Sequence, residues 1–266
     1  MRFKSLSQLQ RSEPLKINLG SLPQKILMAE YARDKAFKIS EMVRQFFKES
    51  YEWYGFSLAD PTHPEFIIDI GLPENNMNLQ DYTTLSSTKI AEFHDSLPKN
   101  RIINGWIHSH GALNYKHFSS TDDKNNLTVL DFVVAGTRRA LAKKEIPIQD
   151  LVLLEKDRFS EKDLEKGTVS LITDNPISEA KIVETVYGSF CYSIVIGDDG
   201  WHEQQIHYRE KSILSGHGTV WSQSTNIEFV DTRRTLNPEE IQVMEKEVKT
   251  KIRPNLNPPP ELIERM

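Results

Sequence analysis

The apolar positions of this chain change their period several times along its length. After Pro23, the residues Ile26, Leu27, Ala36, Ile39, Met42, Val43, Phe46 and Phe47 recur at helical spacing with charges between them, which predicts a long amphipathic helix. The pattern then contracts. Glu52-Trp53-Tyr54-Gly55-Phe56-Ser57-Leu58 and Phe66-Ile67-Ile68-Asp69-Ile70 are short apolar runs of the kind that form strands. Pro73 to Ser87, rich in Asn and Thr, predicts a long loop, and Lys89 to Leu97 a short helix closed by Pro98. Ile102-Ile103 and Trp106-Ile107 read as a buried strand, and Ser120 to about Leu130 as a helix. Asp131 to Ala135 suits either a helix end or a strand. Leu151 to Leu154 predicts a strand, and the charged stretch Asp157 to Thr168 a solvated helix or, alternatively, a partner-contacting insertion. Thr185 to Ile196 and Gln204 to Tyr208 flank Gly197-Asp198-Asp199-Gly200, a hairpin signal.

The two ends differ from the middle. Met1 to Gly20 is polar and weakly patterned, as an extended arm or an edge strand would be. Asn237-Pro238-Glu239-Glu240 is a helix start, with a capping side chain, Pro at the first position and acids in the first turn. Ile241, Met244, Val248 and Ile252 then form one apolar stripe, which must cover this domain, a second copy or a partner; a docking role is expected. Pro254 and Asn257-Pro258-Pro259-Pro260 predict a stiff, extended tail. Strands alternating with helices predict an α/β domain with a mixed or mostly antiparallel sheet. The expected organisation is an N-terminal arm over 1–20, a main domain with a hairpin extension over 21–235, and a helix with a Pro-rich tail over 236–266.

Composition narrows the partners. The 33 basic and 38 acidic residues leave a net charge of −5, so no global basic field draws nucleic acid. There is no N-terminal apolar leader pattern and no apolar run long enough to span a bilayer, so a cytoplasmic protein without membrane contact is expected. The single cysteine, Cys191, lies in an apolar run and reads as a small core residue. It excludes an intramolecular disulfide and a cysteine-based zinc cluster.

The candidate chemistry lies in Trp106-Ile107-His108-Ser109-His110 and the following Ser119-Ser120-Thr121-Asp122. Strand residues two apart share a face, so His108 and His110 can grip one metal ion. Asp122 can add a carboxylate oxygen, completing the two-imidazole, one-carboxylate set of a catalytic zinc site. The same residues also make a good helix start, and capping alone would account for Ser119, Ser120 and Asp122. Asp122 can do both only if it faces the imidazoles. His117 lies in the loop beside the motif, as a solvated side chain or one lining the substrate path. His202, His207 and His217 have no ligand spacing and read as structural or exposed, and Trp106 reads as core beneath the site.

Glu52 ahead of an apolar strand, then His108-Ser109-His110-Gly111, then Phe118-Ser119-Ser120-Thr121-Asp122, resembles the JAMM (MPN+, JAB, Mov34-type) zinc metalloprotease family. That family's signature is a distant Glu, His-x-His, seven residues, Ser, two residues and Asp. Glu52, His108, His110, Ser119 and Asp122 match those roles in order. Two departures stand out: eight residues separate His110 from Ser119, and Gly111 stands where many members have Pro. The resemblance extends over roughly Leu22 to Tyr208. It implies an MPN (cytidine-deaminase-like) fold, with a mostly antiparallel central sheet flanked by helices and here a C-terminal helical tail. It implies Zn2+ on His108, His110 and Asp122, Glu52 as general base and Ser119 as oxyanion donor. The implied activity is hydrolysis of the amide bond at the C-terminus of a ubiquitin-like modifier or its conjugates, with E1- or E2-like conjugation enzymes as possible associates. Within the same chemistry stands processing of a sulfur-carrier or ubiquitin-like precursor. A non-catalytic MPN scaffold and a DNA-repair-associated JAB-like protein are the alternatives outside it.

Overall fold

The computed structural model of the chain describes residues 14–78, 85–112, 115–146, 148, 150–177 and 180–254. These form a mixed α/β fold whose main sheet is open and mostly antiparallel and is flanked by helices. In chain order the elements begin with β1 (Lys16–Asn18), β2 (Ile26–Ala29), α1 (Glu30–Phe47), β3 (Trp53–Ala59), β4 (Phe66–Ile67), β5 (Asp69–Gly71) and β6 (Asn75–Asn78). There follow α2 (Ser87–Ser96), β7 (Ile102–Ser109), α3 (Ser120–Thr137), β8 (Arg139–Ile146), β9 (Leu151–Glu155), α4 (Glu161–Leu164) and β10 (Val169–Thr173). The chain closes with β11 (Ile182–Ile196), β12 (His202–Ser212), β13 (Gly218–Ser224), β14 (Ile227–Val230), α5 (Pro238–Lys251) and β15 (Ile252–Pro254). Among the described residues no helix is long and apolar enough to cross a membrane.

The contacts divide the chain into two compact units. The first comprises 1–21, 139–187 and 210–218. In it β1 pairs antiparallel with β8, Ile17 opposite Lys143, and β9 pairs parallel with β10. The charged stretch after Asp157 forms only one helical turn, α4, capped at Ser160 and followed by Gly167 at φ +71°. The left-handed glycine turns the chain into β10, where it meets β9. This pairing is long-range, which is why a solvated helix was the expectation from local charge alone.

The second unit, 22–138, 188–209 and 219–266, carries Glu52, His108, His110, Ser119 and Asp122. Its strands run in the order β11, β7, β3, β5. β7 is antiparallel to β3, with Trp53 opposite Ser109 and Tyr54 opposite His108, and parallel to β11, with Val195 opposite His108. One face of β3 and β7 presents Tyr54, Phe56, Leu58 and Trp106, which pack against Ile90 of α2 and Val129, Leu130 and Val133 of α3. Burying each such side chain contributes roughly 1.5–3 kcal/mol, so α3 is fixed firmly over this face. On the other face Trp53 donates through Nε1 to Ser40 Oγ of α1 at 2.9 Å.

Several boundaries differ from the periodicity. Ile26 and Leu27 do not open the long helix; they lie in β2, held between β14 and β4. α1 starts at Glu30 and stops where Lys48 turns left-handed at φ 63°. Phe66 to Ile70 splits, β4 pairing with β2 and β5 with β3. The loop expected over Pro73 to Ser87 contains β6, which β15 joins in parallel; residues 79–84 lie outside the described ones. Asp131 to Ala135 continues α3. β8, β10, β13 and β14 were not anticipated. The stripe of α5 is covered within its own unit: Met244, Val248 and Ile252 are buried, and Lys251 Nζ donates to the Leu72 carbonyl at 2.7 Å. The Pro-rich tail beyond Pro254 lies outside the described residues.

Candidate metal centre

β7 ends on the site. Its alternation puts Trp106, His108 and His110 on the face covered by α3, and Glu52 stands immediately before β3, whose first ladder residue, Trp53, lies opposite Ser109. α3 supplies the remaining ligand from its first turn. Ser119 caps that helix, its Oγ accepting the Asp122 N–H at 3.2 Å, while Asp122 Oδ2 accepts the Ser119 N–H at 2.7 Å. This reciprocal capping box locks the Asp122 side chain and aims its other oxygen inward. Asp122 thus caps the helix and faces the imidazoles at once.

Potential ligand atoms of three side chains converge. His108 Nε2 lies 3.2 Å from His110 Nε2 and 3.1 Å from Asp122 Oδ1, and His110 Nε2 lies 3.5 Å from Asp122 Oδ2. Nitrogen and oxygen ligands about 2.0–2.1 Å from a tetrahedral ion stand about 3.3 Å apart, so these separations, with Asp122 turning one oxygen to each imidazole, suit a small metal ion. Glu52, His108, His110 and Asp122 are all buried, none more than 6% exposed, which separates them from ordinary surface acids and imidazoles. Among the described residues no other group of three His, Cys, Asp or Glu side chains gathers in this way.

The electrostatics agree with a cation between them. His110 Nδ1 meets the Tyr115 carbonyl at 3.0 Å. A carbonyl only accepts, so Nδ1 carries the proton, and neutral His110 points its Nε2 lone pair towards Asp122. That arrangement needs a proton or a metal ion in the gap. Burial opposes charging His110, but the Asp122 hydrogen bond, the Tyr115 carbonyl and the Glu52 charge together raise its pKa. Burial dominates at His108 and lowers its pKa, keeping it neutral and able to ligate. Burial also opposes ionising Asp122, yet its hydrogen bonds to both imidazoles hold it well below the usual carboxylate range. The Tyr115 carbonyl orients His110, as an outer partner of a metal ligand does. His108 is held instead by stacking on Trp106, at 4.3 Å and 11° between planes, while its buried Nδ1 has no hydrogen-bond partner among the described residues.

Ser119 is half-buried at the helix cap beside Asp122, whereas its rival Ser120 is exposed. His117 is exposed and pairs with Glu203 at 2.9 Å. His202 contacts Gln204, His207 is buried, and His217 is exposed. Cys191 is buried in β11. Gly111 has φ +56°, a conformation closed to proline, whose ring holds φ near −65°. The departure at this position therefore has a local backbone cause. Residues 113 and 114 of the longer loop lie outside the described ones.

Tyr115 and Trp201, which sequence reasoning did not single out, flank His110 with ring centroids at 6.0 and 6.1 Å. Trp201 comes from the turn after β11, and only the parallel pairing of β11 with β7 reveals its nearness. No family model matches the chain, and no curated protein matches it.

Proposed function

We propose that this chain is a zinc-dependent isopeptidase that hydrolyses the amide bond at the C-terminus of a ubiquitin-like modifier. The observation that carries the reading is the convergence of the buried side chains of His108, His110 and Asp122, with Glu52 near enough for its charge to act on His110. The order Glu52, His108, His110, Ser119, Asp122, which resembles the JAMM signature, supplies the substrate class.

His108, His110 and Asp122 would hold the ion. Zinc supplies Lewis acidity and brings the pKa of water from near 16 towards about 7. Glu52, buried and close enough for its charge to raise the His110 pKa, takes the proton of the attacking water on its carboxylate and delivers it to the departing amine. Ser119 Oγ already accepts the Asp122 N–H, which leaves its own hydrogen to donate to the developing oxyanion. Tyr115 and Trp201 stand beside His110 as walls for an extended substrate tail. A Gly-Gly end suits such a path, because without side chains its backbone can approach closely. E1- or E2-like enzymes would belong to the same system, and a cytoplasmic location accords with this role.

The test is cleavage of purified linear and isopeptide-linked fusions of ubiquitin-like proteins by the full chain, with zinc and after chelation. Zinc-dependent release of the modifier, lost in Glu52→Gln, is expected. Absence of cleavage across the panel, or cleavage indifferent to chelation, would overturn the proposal.

A further inference from the structure

The segment that carries Glu52 and the segment that leaves His110 meet at a third piece of chain, the turn after β11. Asp198 sits there with its side chain 9% exposed. Its Oδ2 accepts the Ser50 hydroxyl at 2.5 Å, two residues before Glu52. Its backbone N–H donates to the Gly111 carbonyl at 2.9 Å, one residue after His110. Gly111 and Ser50 are themselves in contact: a Cβ at Gly111 would lie 3.0 Å from Ser50 Cβ. The Gly111 N–H donates to Ser109 Oγ at 2.9 Å, and the His110 N–H donates to the Ile196 carbonyl at 2.9 Å, so the far side of the junction is anchored independently. Arg44 Nε approaches Asp198 at 3.6 Å but is half exposed, and such a pair contributes little.

We propose that Asp198 is a positioning residue, which sets Glu52 against His110 by tying the chain segment on one side of the site to the segment on the other. The strand ladder alone does not do this. β3 begins at Trp53, and Ser50 to Glu52 lie before its first ladder residue. His110, in contrast, keeps its bond to Ile196 whatever stands at position 198. Loss of the Asp198 carboxylate therefore removes the Ser50 tie ahead of Glu52 while leaving the three metal ligands in place. The catalytic part of this inference rests on the proposed isopeptidase reading; the structural part does not.

The experiment compares Asp198→Ala, Asp198→Asn, Ser50→Ala and the Asp198→Ala/Ser50→Ala double variant in the full chain. Zinc titration should give one equivalent and unchanged affinity in all of them. Hydrogen exchange should be about tenfold faster in peptides covering Glu49–Trp53 and Ile196–Trp201 in Asp198→Ala, with β3 beyond Phe56 unchanged. On a conjugate substrate, kcat should fall about 10- to 100-fold with KM unchanged, as for a misplaced catalytic group. Asp198→Asn retains an oxygen acceptor for Ser50 and should restore both exchange and kcat to near the parent values. The double variant should be no worse than the poorer single. Unchanged exchange in both peptides, loss of zinc from Asp198→Ala, or failure of Asp198→Asn to rescue would overturn the proposal. If the parent chain cleaves no conjugate, the isopeptidase reading fails, and exchange with zinc titration alone decides whether Asp198 ties the segments.

Discussion

The double duty of Asp122 gives the site its most discriminating test. Oδ2 caps α3 and also approaches His110, while Oδ1 faces His108, so the two functions are separated by comparing Asp122→Ala with Ser119→Ala. Ser119→Ala removes the other half of the capping box and leaves the ligands. Capping losses of this kind cost about 1 kcal/mol, or about 2–4 °C in melting temperature for a protein of this size. Zinc at a thousand times its dissociation constant stabilises the folded state by about 4 kcal/mol. On the same scale that is a rise of about 8–16 °C. In chelator both variants should melt slightly below the parent. On adding zinc, Ser119→Ala should gain the full rise and Asp122→Ala none. His108→Ala should also lose the rise. Differential scanning fluorimetry with a metal assay reads all four proteins. Retention of one zinc equivalent by both His108→Ala and Asp122→Ala would refute the ligand assignment. The pH dependence has a defined sign. Protons compete with zinc for Nε2 of His110, whose pKa is raised, and scarcely at His108, whose pKa is lowered. Below the His110 pKa, zinc affinity should therefore fall about tenfold per pH unit, with release of one proton on binding.

Other expectations follow from single residues. Glu52→Gln should keep zinc and lose about 10²–10⁴ in turnover, measured on a conjugate substrate; near-parental turnover removes Glu52 from the mechanism. Gly111→Pro should destabilise by more than about 1 kcal/mol in urea unfolding, because φ +56° excludes the ring and the Ser109 hydrogen bond is lost; a neutral effect contradicts the loop conformation. Burial lowers the pKa of His207 to about 4. The unfolded chain, titrating near 6.5, then binds more protons between those values, so stability is intact above about pH 6.5 and falls by roughly 3 kcal/mol as pH drops to 4. His207→Leu should flatten that portion of the unfolding profile, and an unchanged slope assigns it to other groups.

How much of this was legible follows from the range of each signal. The long helix, the strands around Glu52 and His108 and the hairpin turn at Gly197 are written in local periodicity, and all are present. What escaped was pairing between distant segments. Ile26 to Ala29 looks like the first turn of an amphipathic helix, and only β4 and β14 on either side make it a strand. The stripe of α5 announced that something must cover it but not what. Its cover is local to the unit, with β15 returning to β6 beside Asn75, whose side chain accepts the Tyr54 N–H. A helix that reads as an appendage is thereby linked, through one buried amide, to the strand that follows Glu52.

The candidate site divides along the same line. His-x-His on a strand and Ser-x-x-Asp at a helix start each carry their geometry in the spacing, because strand alternation and the capping box are local rules. Their meeting depends on α3 lying across the β7 face, which the apolar residues Val129, Leu130 and Val133 enforce through contacts with Trp106 and Phe56. The apolar side of α3 thus determines where the carboxylate of its first turn arrives, and Trp106 both fills that core and stacks on His108. Core and site are one structure here: Trp106→Ala, costing about 3–5 kcal/mol by cavity formation, would loosen a metal ligand and a helix together. The parts that sequence could not reveal, Tyr115, Trp201 and Asp198, reach the site through backbone carbonyls, ring edges and a turn. Such contacts leave no periodic mark on the chain, and those of Trp201 and Asp198 depend on β11 running parallel to β7, a pairing between segments more than eighty residues apart.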